Sequence, residues 1–161
     1  MESRHVQPEE FKKGIWLVVD PGHRTAWETW ENGKPISSGM LNWAGAKSGD
    51  DSQRKIIDLA ESFKSRIAGC TFKGICIENI RVMSFPSVAS GSLFFPAMLI
   101  GAFIFICYMF RQEFFMIDPN WRGQISDEQL RNLLAFKFNY HPTNEHLADV
   151  RGMGLWLAGK F

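Results

Sequence analysis

The sequence predicts an α/β fold in which a five-stranded mixed sheet is flanked by helices. Short apolar runs bounded by turn residues alternate with longer segments whose apolar residues recur at helical spacing. The first three runs follow one another through short turns, whereas helices separate the later ones, which is typical of a mixed sheet. The 161 residues suffice for one domain with a full core. We expect residues 1–13 to form a flexible N-terminal arm and residues 14–161 to form that single domain.

The first three predicted strands form an antiparallel meander. A continuous apolar run at 15–20 ends at Asp20, directly before Pro21 and Gly22, and predicts a strand buried on both faces. A second strand is expected at 25–30 and a third at 35–41. The Asn32-Gly33 pair between them is a strong hairpin signal, because both residues tolerate the positive φ angles of a tight turn.

A helix and a fourth strand follow a Gly/Ser/Asp-rich loop. The helix is expected at 52–68, with Gly69 as its C-terminal cap. Its apolar face consists of Ile56, Ala60, Phe63 and Ile67. The fourth strand is expected at 72–79, where an apolar run ends near Glu78.

The C-terminal half contains three helices and one more strand. A long apolar helix is expected at 93–110, and a fifth strand at 114–117 is stopped by an Asp-Pro pair. Ser126 and Gln129 have the spacing of a capping box and predict a helix that ends near residue 138. The last helix is expected to begin near Asn144.

Charge and cysteine content limit the classes of function. The formal net charge is +1, so overall charge does not indicate a nucleic-acid-binding protein. The three cysteines have no C-x-x-C spacing, which argues against a disulfide framework or a zinc site and fits a reducing compartment. Cys76 and Cys107 lie in apolar runs and are expected in the core. The N-terminus has no signal-peptide core, and we expect a cytoplasmic protein.

The uncharged segment 82–110 allows two interpretations. It is long enough to be a transmembrane candidate, but Pro96 and Gly101 interrupt it and no second span exists. A helix covered by the core on one side and by a dimer interface on the other would also be apolar all round. We favour this second interpretation and expect no membrane association. The residues expected in the core or a dimer contact are Met98, Phe103, Phe105 and Tyr108.

Four residues with metal-binding side chains stand at the ends of predicted elements. Asp20 and Glu78 each end a strand, while His146 and Asp149 lie three apart at the start of the last helix. Each has an ordinary alternative explanation, since aspartate favours turns and the first turn of helices. Together they predict a site for divalent cations, which favour carboxylate oxygens. Two such ions can promote phosphodiester hydrolysis by stabilising the attacking and leaving oxygens.

The element order and several local motifs resemble the RNase H-like superfamily, and in particular the RuvC-type Holliday junction resolvases, including those encoded by bacteriophages. The resemblance covers roughly residues 14–159. Its motifs are Val18-Val19-Asp20-Pro21-Gly22, Thr25-Ala26-Trp27, Ser37-Ser38-Gly39, Cys76-Ile77-Glu78 and His146-Leu147-Ala148-Asp149-Val150-Arg151-Gly152-Met153-Gly154.

The resemblance implies an Mg²⁺- or Mn²⁺-dependent endonuclease that cuts four-way or branched DNA junctions with two ions per site. Asp20 would bridge the ions, Glu78 would bind one and Asp149 the other. His146 would be a ligand or would orient the attacking water; many family members have Asp there and some have His. Arg122 stands near the place of a frequent family lysine. The family also implies a homodimer, for which helix 93–110 is the expected interface, and a bacterial host cytoplasm if the chain is phage-encoded.

Contacts with DNA are expected mainly through phosphates. The basic candidates are Arg24, Lys47, Arg54, Lys55, Arg81 and Arg122. Phe85 is a candidate for stacking on an unpaired base. Two alternatives remain open: a nuclease of the same fold that acts on flap or RNA-containing substrates, and a non-catalytic RNase H-like DNA-binding protein.

Overall fold

All five predicted strands are present in the computed structural model, which describes residues 5–42, 52–80 and 91–161. The strands are β1 (Ile15–Asp20), β2 (Ala26–Glu31), β3 (Lys34–Met40), β4 (Gly74–Glu78) and β5 (Phe114–Ile117). The helices are α1 (Pro8–Phe11), α2 (Ser52–Ile67), α3 (Gly91–Met109), α4 (Asp127–Phe138) and α5 (Glu145–Leu157). The prediction of a five-stranded mixed sheet flanked by helices is confirmed.

The sheet has the strand order β3-β2-β1-β4-β5. Strands β1, β2 and β3 pair antiparallel, and the predicted turn at Asn32 and Gly33 has positive φ angles at both residues. Strands β4 and β5 are parallel to β1, in register Val19 with Ile77 and Glu78 with Ile117. The carboxyl ends of β1, β4 and β5 therefore meet at one edge of the sheet, where open α/β sheets commonly bind ligands.

Each face of the sheet is covered by helices. Successive side chains of strand β1 point to opposite faces of the sheet: Trp16 and Val18 belong to one core cluster, and Leu17 and Val19 belong to the other. The first cluster includes residues of α1, α4 and α5, and the second includes residues of α2 and α3. Burial on both faces explains the continuous apolar run of β1.

The long apolar helix α3 has one buried and one exposed side. Four of its buried residues recur at every fourth position, namely Phe95, Leu99, Phe103 and Cys107, and Ile100 is buried beside them. The large exposed side chains of the same helix include Phe94, Met98, Phe105, Tyr108 and Met109. Of the residues predicted for the core or a dimer contact, Phe103 thus lies in the core. Over the described ranges, none of the helices is long and apolar enough to cross a membrane.

The N-terminal segment contains an element that the sequence patterns do not predict. Pro8–Phe11 forms a single helical turn, and Phe11 is fully buried. Its ring lies 5.4 Å from that of Trp16 and 5.6 Å from that of Trp30. Part of the arm expected at residues 1–13 is therefore packed on the core, because Val6 and Phe11 gain burial there.

Helix α5 packs unusually close to the sheet. A Cβ atom at Gly154 would lie 2.2 Å from the Trp30 ring, and one at Gly152 would lie 2.7 Å from the Trp121 ring. Only glycine permits these approaches. Arg151 adds a buried ion pair, since its Nη2 lies 2.8 Å from Oε1 of the fully buried Glu28 on β2. These contacts fix the helix that carries two of the predicted ligands.

Candidate metal centre

Asp20 and Glu78 lie side by side at the edge of the sheet. They are the last residues of the neighbouring parallel strands β1 and β4, and each directly follows the paired residues Val19 and Ile77. Both side chains are partly buried. The buried strands therefore hold two carboxylates at a fixed spacing, as the sequence predicts.

His146 and Asp149 reach the same edge from the first turns of α5. The helix begins at a defined cap, because Asn144 Oδ1 accepts a hydrogen bond of 3.0 Å from the Leu147 N–H. The Asn144 side chain also contacts Met40 Sδ at the end of β3, at 3.8 Å. This cap orients the start of α5 towards the sheet.

Three of the four predicted ligands form one cluster. One ligand atom from each of Asp20, His146 and Asp149 lies within 4.8 Å of the others. His146 Nδ1 is 3.0 Å from Asp20 Oδ2, so a protonated Nδ1 donates to that carboxylate. Hydrogen bonding to Asp20 raises the pKa of His146, although burial acts in the opposite direction.

Glu78 stands next to this cluster and is held by Trp121. The indole Nε1 of Trp121 donates a hydrogen bond of 2.9 Å to Glu78 Oε1. Burial, followed by the charge of Asp20, raises the pKa of Glu78 to about 8. The neighbouring charge of Asp149 acts in the same direction, so the carboxylates at this edge repel one another.

Arg122 holds the remaining carboxylate. Its Nη1 donates to Asp149 Oδ1 at 2.8 Å, and its Nη2 donates to Asp127 Oδ1 at 2.6 Å. Burial and then the charge of Asp20 raise the pKa of Asp149 to about 6, while Arg122 lowers it. Arg122, predicted as a DNA contact, is thus engaged with a predicted metal ligand.

A cleft of about 290 Å³ opens beside these side chains. Its lining includes Glu78, Asp149 and Arg122, and it extends to Pro96 and Ile100 of α3. Glu78 and Asp149 are therefore reached from this cleft, and α3 forms part of its wall.

The donor set fits a divalent cation. Carboxylate oxygens are the ligands that Mg²⁺ prefers, and Mn²⁺ also accepts imidazole nitrogen. The raised pKa values of Glu78 and Asp149 have a common cause in burial beside other carboxylates, which a cation would offset. The structure thus contains an acidic group suited to metal binding at the predicted place.

The residues predicted to contact DNA lie in different surroundings. Lys47, Arg81 and Phe85 lie outside the described residues. Arg54 pairs with Asp58 at 3.1 Å. Arg24 is exposed, and its charge adds to burial in lowering the pKa of Lys55, so these two cations are neighbours. Lys55 Nζ lies 5.7 Å from the centre of the Phe95 ring, next to Pro96 in the cleft wall.

Sequence reasoning missed two contacts that organise the site. Trp121 holds Glu78 across 43 residues, and Arg151 binds Glu28 across 123 residues. Trp121 directly precedes Arg122 in the sequence, but no local pattern shows which carboxylate its indole reaches. Glu28 shares one face of β2 with the apolar residues Ala26 and Trp30, and a carboxylate on such an apolar face is the signal that could have revealed the buried pair.

Among the comparisons with known proteins, only the one with solved structures finds a match. No protein-family model matches the sequence. A search of the curated proteins also finds no match.

Solved structures do match, at low sequence identity. RuvC of Thermus thermophilus in complex with a Holliday junction substrate has a TM-score of 0.67 and 10% identity, covering 88% of this chain and 91% of the other. A second Thermus thermophilus RuvC structure has a TM-score of 0.60 and 11% identity over 88% and 92% of the two chains. The yeast mitochondrial Holliday junction resolvase Ydc2 has a TM-score of 0.56 and 14% identity over 96% and 83%.

Each of the three matches covers at least 88% of this chain at 14% identity or less, so the agreement concerns the path of the chain rather than its sequence. The strand order and the helices on both sheet faces are the features that such a match compares. The protein therefore has a RuvC-like fold of the RNase H-like type.

Proposed function

We propose that this protein is a divalent-metal-dependent endodeoxyribonuclease that resolves four-way DNA junctions by paired phosphodiester hydrolysis. The observation that carries the proposal is the convergence of Asp20, His146 and Asp149 within 4.8 Å at the carboxyl ends of the strands, with Glu78 beside them. The fold match to junction resolvases supports the choice of substrate.

The predicted roles of the four residues follow from their places. Asp20, central in the sheet, would bridge two Mg²⁺ or Mn²⁺ ions; Glu78 would bind one ion and Asp149 the other. Bound ions would stabilise charge on the attacking and leaving oxygens of the phosphodiester. Because strand ends and a capped helix hold these side chains, their geometry needs little rearrangement on substrate binding.

His146 is proposed either as a metal ligand or as the base that orients the attacking water. Its Nδ1 faces Asp20 Oδ2 at 3.0 Å, which fixes the ring orientation and leaves Nε2 on the other side of the ring. Both roles need a ring nitrogen that carries no proton. The hydrogen bond to Asp20 raises the pKa of His146 in the metal-free protein and so opposes both roles, and a bound cation would lower that pKa again.

Arg24 and Lys55 are proposed to bind DNA phosphates at the rim of the cleft. Lys55 lies over the ring of Phe95, which precedes Pro96 of the cleft lining, and Arg24 follows Pro21 of that lining by three residues. The two positive charges influence each other, and neighbouring cations favour a phosphate. Arg24→Gln and Lys55→Gln should each weaken junction binding and reduce its salt dependence. Lys73→Gln, at the opposite end of β4, should leave both unchanged in a filter-binding titration at several salt concentrations. Equal losses in all three variants would contradict this placement.

A homodimer is proposed through α3. Phe105 and Tyr108 are 62% and 76% exposed, and a groove of about 370 Å³ lies between α2 and α3. Large exposed apolar patches mark association surfaces, and a two-fold dimer would present its two sites to the two symmetric cleavage points of a four-way junction. Phe105→Glu should give a monomer in light scattering after gel filtration. Phe136→Glu, which changes a 99% exposed phenylalanine on α4, should not alter the mass.

The proposal is tested by comparing substrates. We expect the protein with Mg²⁺ or Mn²⁺ to cut a labelled synthetic four-way junction and to leave duplex DNA intact. Flap DNA and an RNA–DNA hybrid serve as competing substrates of the same fold. Preferred cleavage of the flap or of the hybrid would support the metal site but would show that the proposed substrate is wrong. Junction binding without any cleavage would support the non-catalytic alternative instead.

A further inference from the structure

Trp121 links two elements that carry predicted metal ligands. It lies in the turn after β5 and is only 7% exposed. Its ring packs so closely on α5 that a Cβ atom at Gly152 would lie 2.7 Å from it. The ring centre is also 5.6 Å from that of Phe161 in an edge contact. The indole is therefore fixed in place between the end of β4 and the helix that bears Asp149.

The indole N–H is directed at the carboxylate of Glu78. Its Nε1 lies 2.9 Å from Oε1. An indole nitrogen is a donor only, so this contact requires an accepting oxygen and constrains how the carboxyl group can rotate. Outer hydrogen bonds of this kind orient metal ligands, and their loss commonly weakens metal binding by about 10- to 100-fold.

We infer that Trp121 is a positioning residue for the metal centre, which fixes Oε1 of Glu78 so that the carboxylate faces the cation shared with Asp20. This inference rests on the proposed function, because it assumes that Glu78 is a metal ligand. The neighbouring residue contributes to the same arrangement, since Arg122 binds Asp149 at 2.8 Å. Two consecutive side chains after β5 thus orient carboxylates on two different elements.

The same fold provides a matched control. Trp16 is fully buried, and its Nε1 donates a hydrogen bond of 3.0 Å to the Lys13 carbonyl oxygen. It lies near the beginning of β1, at the opposite end of the sheet from Asp20. Replacement of either tryptophan by phenylalanine keeps an aromatic ring and removes one indole hydrogen bond. Of the two replacements, only that of Trp121 should change the affinity of the protein for the metal ion.

The first experiment measures Mn²⁺ affinity by titration calorimetry. Trp121→Phe should bind Mn²⁺ about 10- to 100-fold more weakly than the unsubstituted protein, whereas Trp16→Phe should bind it equally well. Thermal unfolding of both variants separates lost folding from lost binding. Unchanged Mn²⁺ affinity in folded Trp121→Phe, or equal losses in the two variants, would overturn the inference.

The second experiment needs no substitution. The chain has six tryptophans, whose indole N–H signals can be followed by ¹⁵N NMR during an Mg²⁺ titration. The Trp121 signal should move on binding while that of Trp16 stays in place. A stationary Trp121 signal during saturable Mg²⁺ binding would overturn the inference.

The two proposals can fail separately. Junction cleavage by a protein whose Mn²⁺ affinity does not depend on Trp121 would retain the proposed function and reject the positioning role. Weaker Mn²⁺ binding in Trp121→Phe, together with no junction cleavage by the unsubstituted protein, would retain the positioning role and reject the resolvase activity.

Discussion

Replacing Glu28 by glutamine is expected to destabilise the protein by about 3 kcal/mol, because it leaves the Arg151 guanidinium without its counter-charge. Glu28 is fully buried, and Arg151 is only 15% exposed. Arg151 Nε and Nη2 lie 2.9 and 2.8 Å from Glu28 Oε1. Trp30 Nε1 donates to the other oxygen at 2.8 Å, so both carboxylate oxygens are engaged.

The magnitude follows from the balance between burial and pairing. Burial raises the pKa of Glu28 even though hydrogen bonds from Arg151 oppose that shift. Desolvation therefore offsets much of the attraction, and the intact pair adds little net stability. Removing one partner alone is costly, about 3–5 kcal/mol for buried pairs, because the other charge stays buried. Because glutamine retains an accepting oxygen, the expected loss of stability lies at the lower end of that range.

The assay is urea unfolding followed by tryptophan fluorescence, with an exposed pair as control. Glu61 and Lys64 on α2 lie 3.3 Å apart at exposures of 65% and 48%, so Glu61→Gln should cost less than about 1 kcal/mol. The double variant Glu28→Leu with Arg151→Met should recover part of the stability lost in Glu28→Gln, because it removes the unpaired charge but leaves the Trp30 N–H without an acceptor. Equal, small losses in Glu28→Gln and Glu61→Gln would show that the buried charge of Arg151 does not need Glu28.

Two further predictions concern metal and packing. In metal-free protein, the free energy of unfolding should fall as pH rises from 4.5 towards about 8, because Glu78 ionises near 4.5 when unfolded but near 8 when folded. Mg²⁺ should then raise the Tm more at pH 8 than at pH 5, and equal shifts in thermal scans would contradict this. Gly154→Ala should destabilise by about 2 kcal/mol or more in urea, since its Cβ would lie 2.2 Å from Trp30. Gly101→Ala, with nothing within 4 Å, should be neutral or stabilising; a similar loss there would exclude overpacking as the cause.

Much of the fold was predictable because its signals are local. The apolar run of β1, the hairpin at Asn32 and the Ser126 capping box each depend on a few consecutive residues, and the structure contains all three. The bounds of β4 were less accurate: the apolar pattern predicts 72–79, whereas pairing with β1 and β5 extends only from Gly74 to Glu78. Strand ends depend on what the neighbouring strands can pair with, which a single segment does not show.

The sequence allowed the clustering of the candidate ligands to be predicted, but not the contacts that hold these side chains in place. Asp20 and Glu78 could be placed because parallel strands end at a common edge. The hydrogen bond from Trp121 to Glu78 and the pair of Arg151 with Glu28 join residues far apart in sequence. Their geometry depends on how α5 packs on the sheet, and that packing is a property of the whole core.

Metal-dependent junction cleavage is tested most directly by mapping the cuts made in a labelled four-way junction by the unsubstituted protein and by Asp20→Asn, with Mg²⁺ and with EDTA. We expect paired, symmetrically placed nicks that require the metal ion. Asp20→Asn should abolish them while the variant stays folded and still binds the junction, because the amide keeps the shape of the side chain and lacks the charge that holds the ions. Cleavage by Asp20→Asn at the unsubstituted rate, or full cleavage in EDTA, would contradict the central claim.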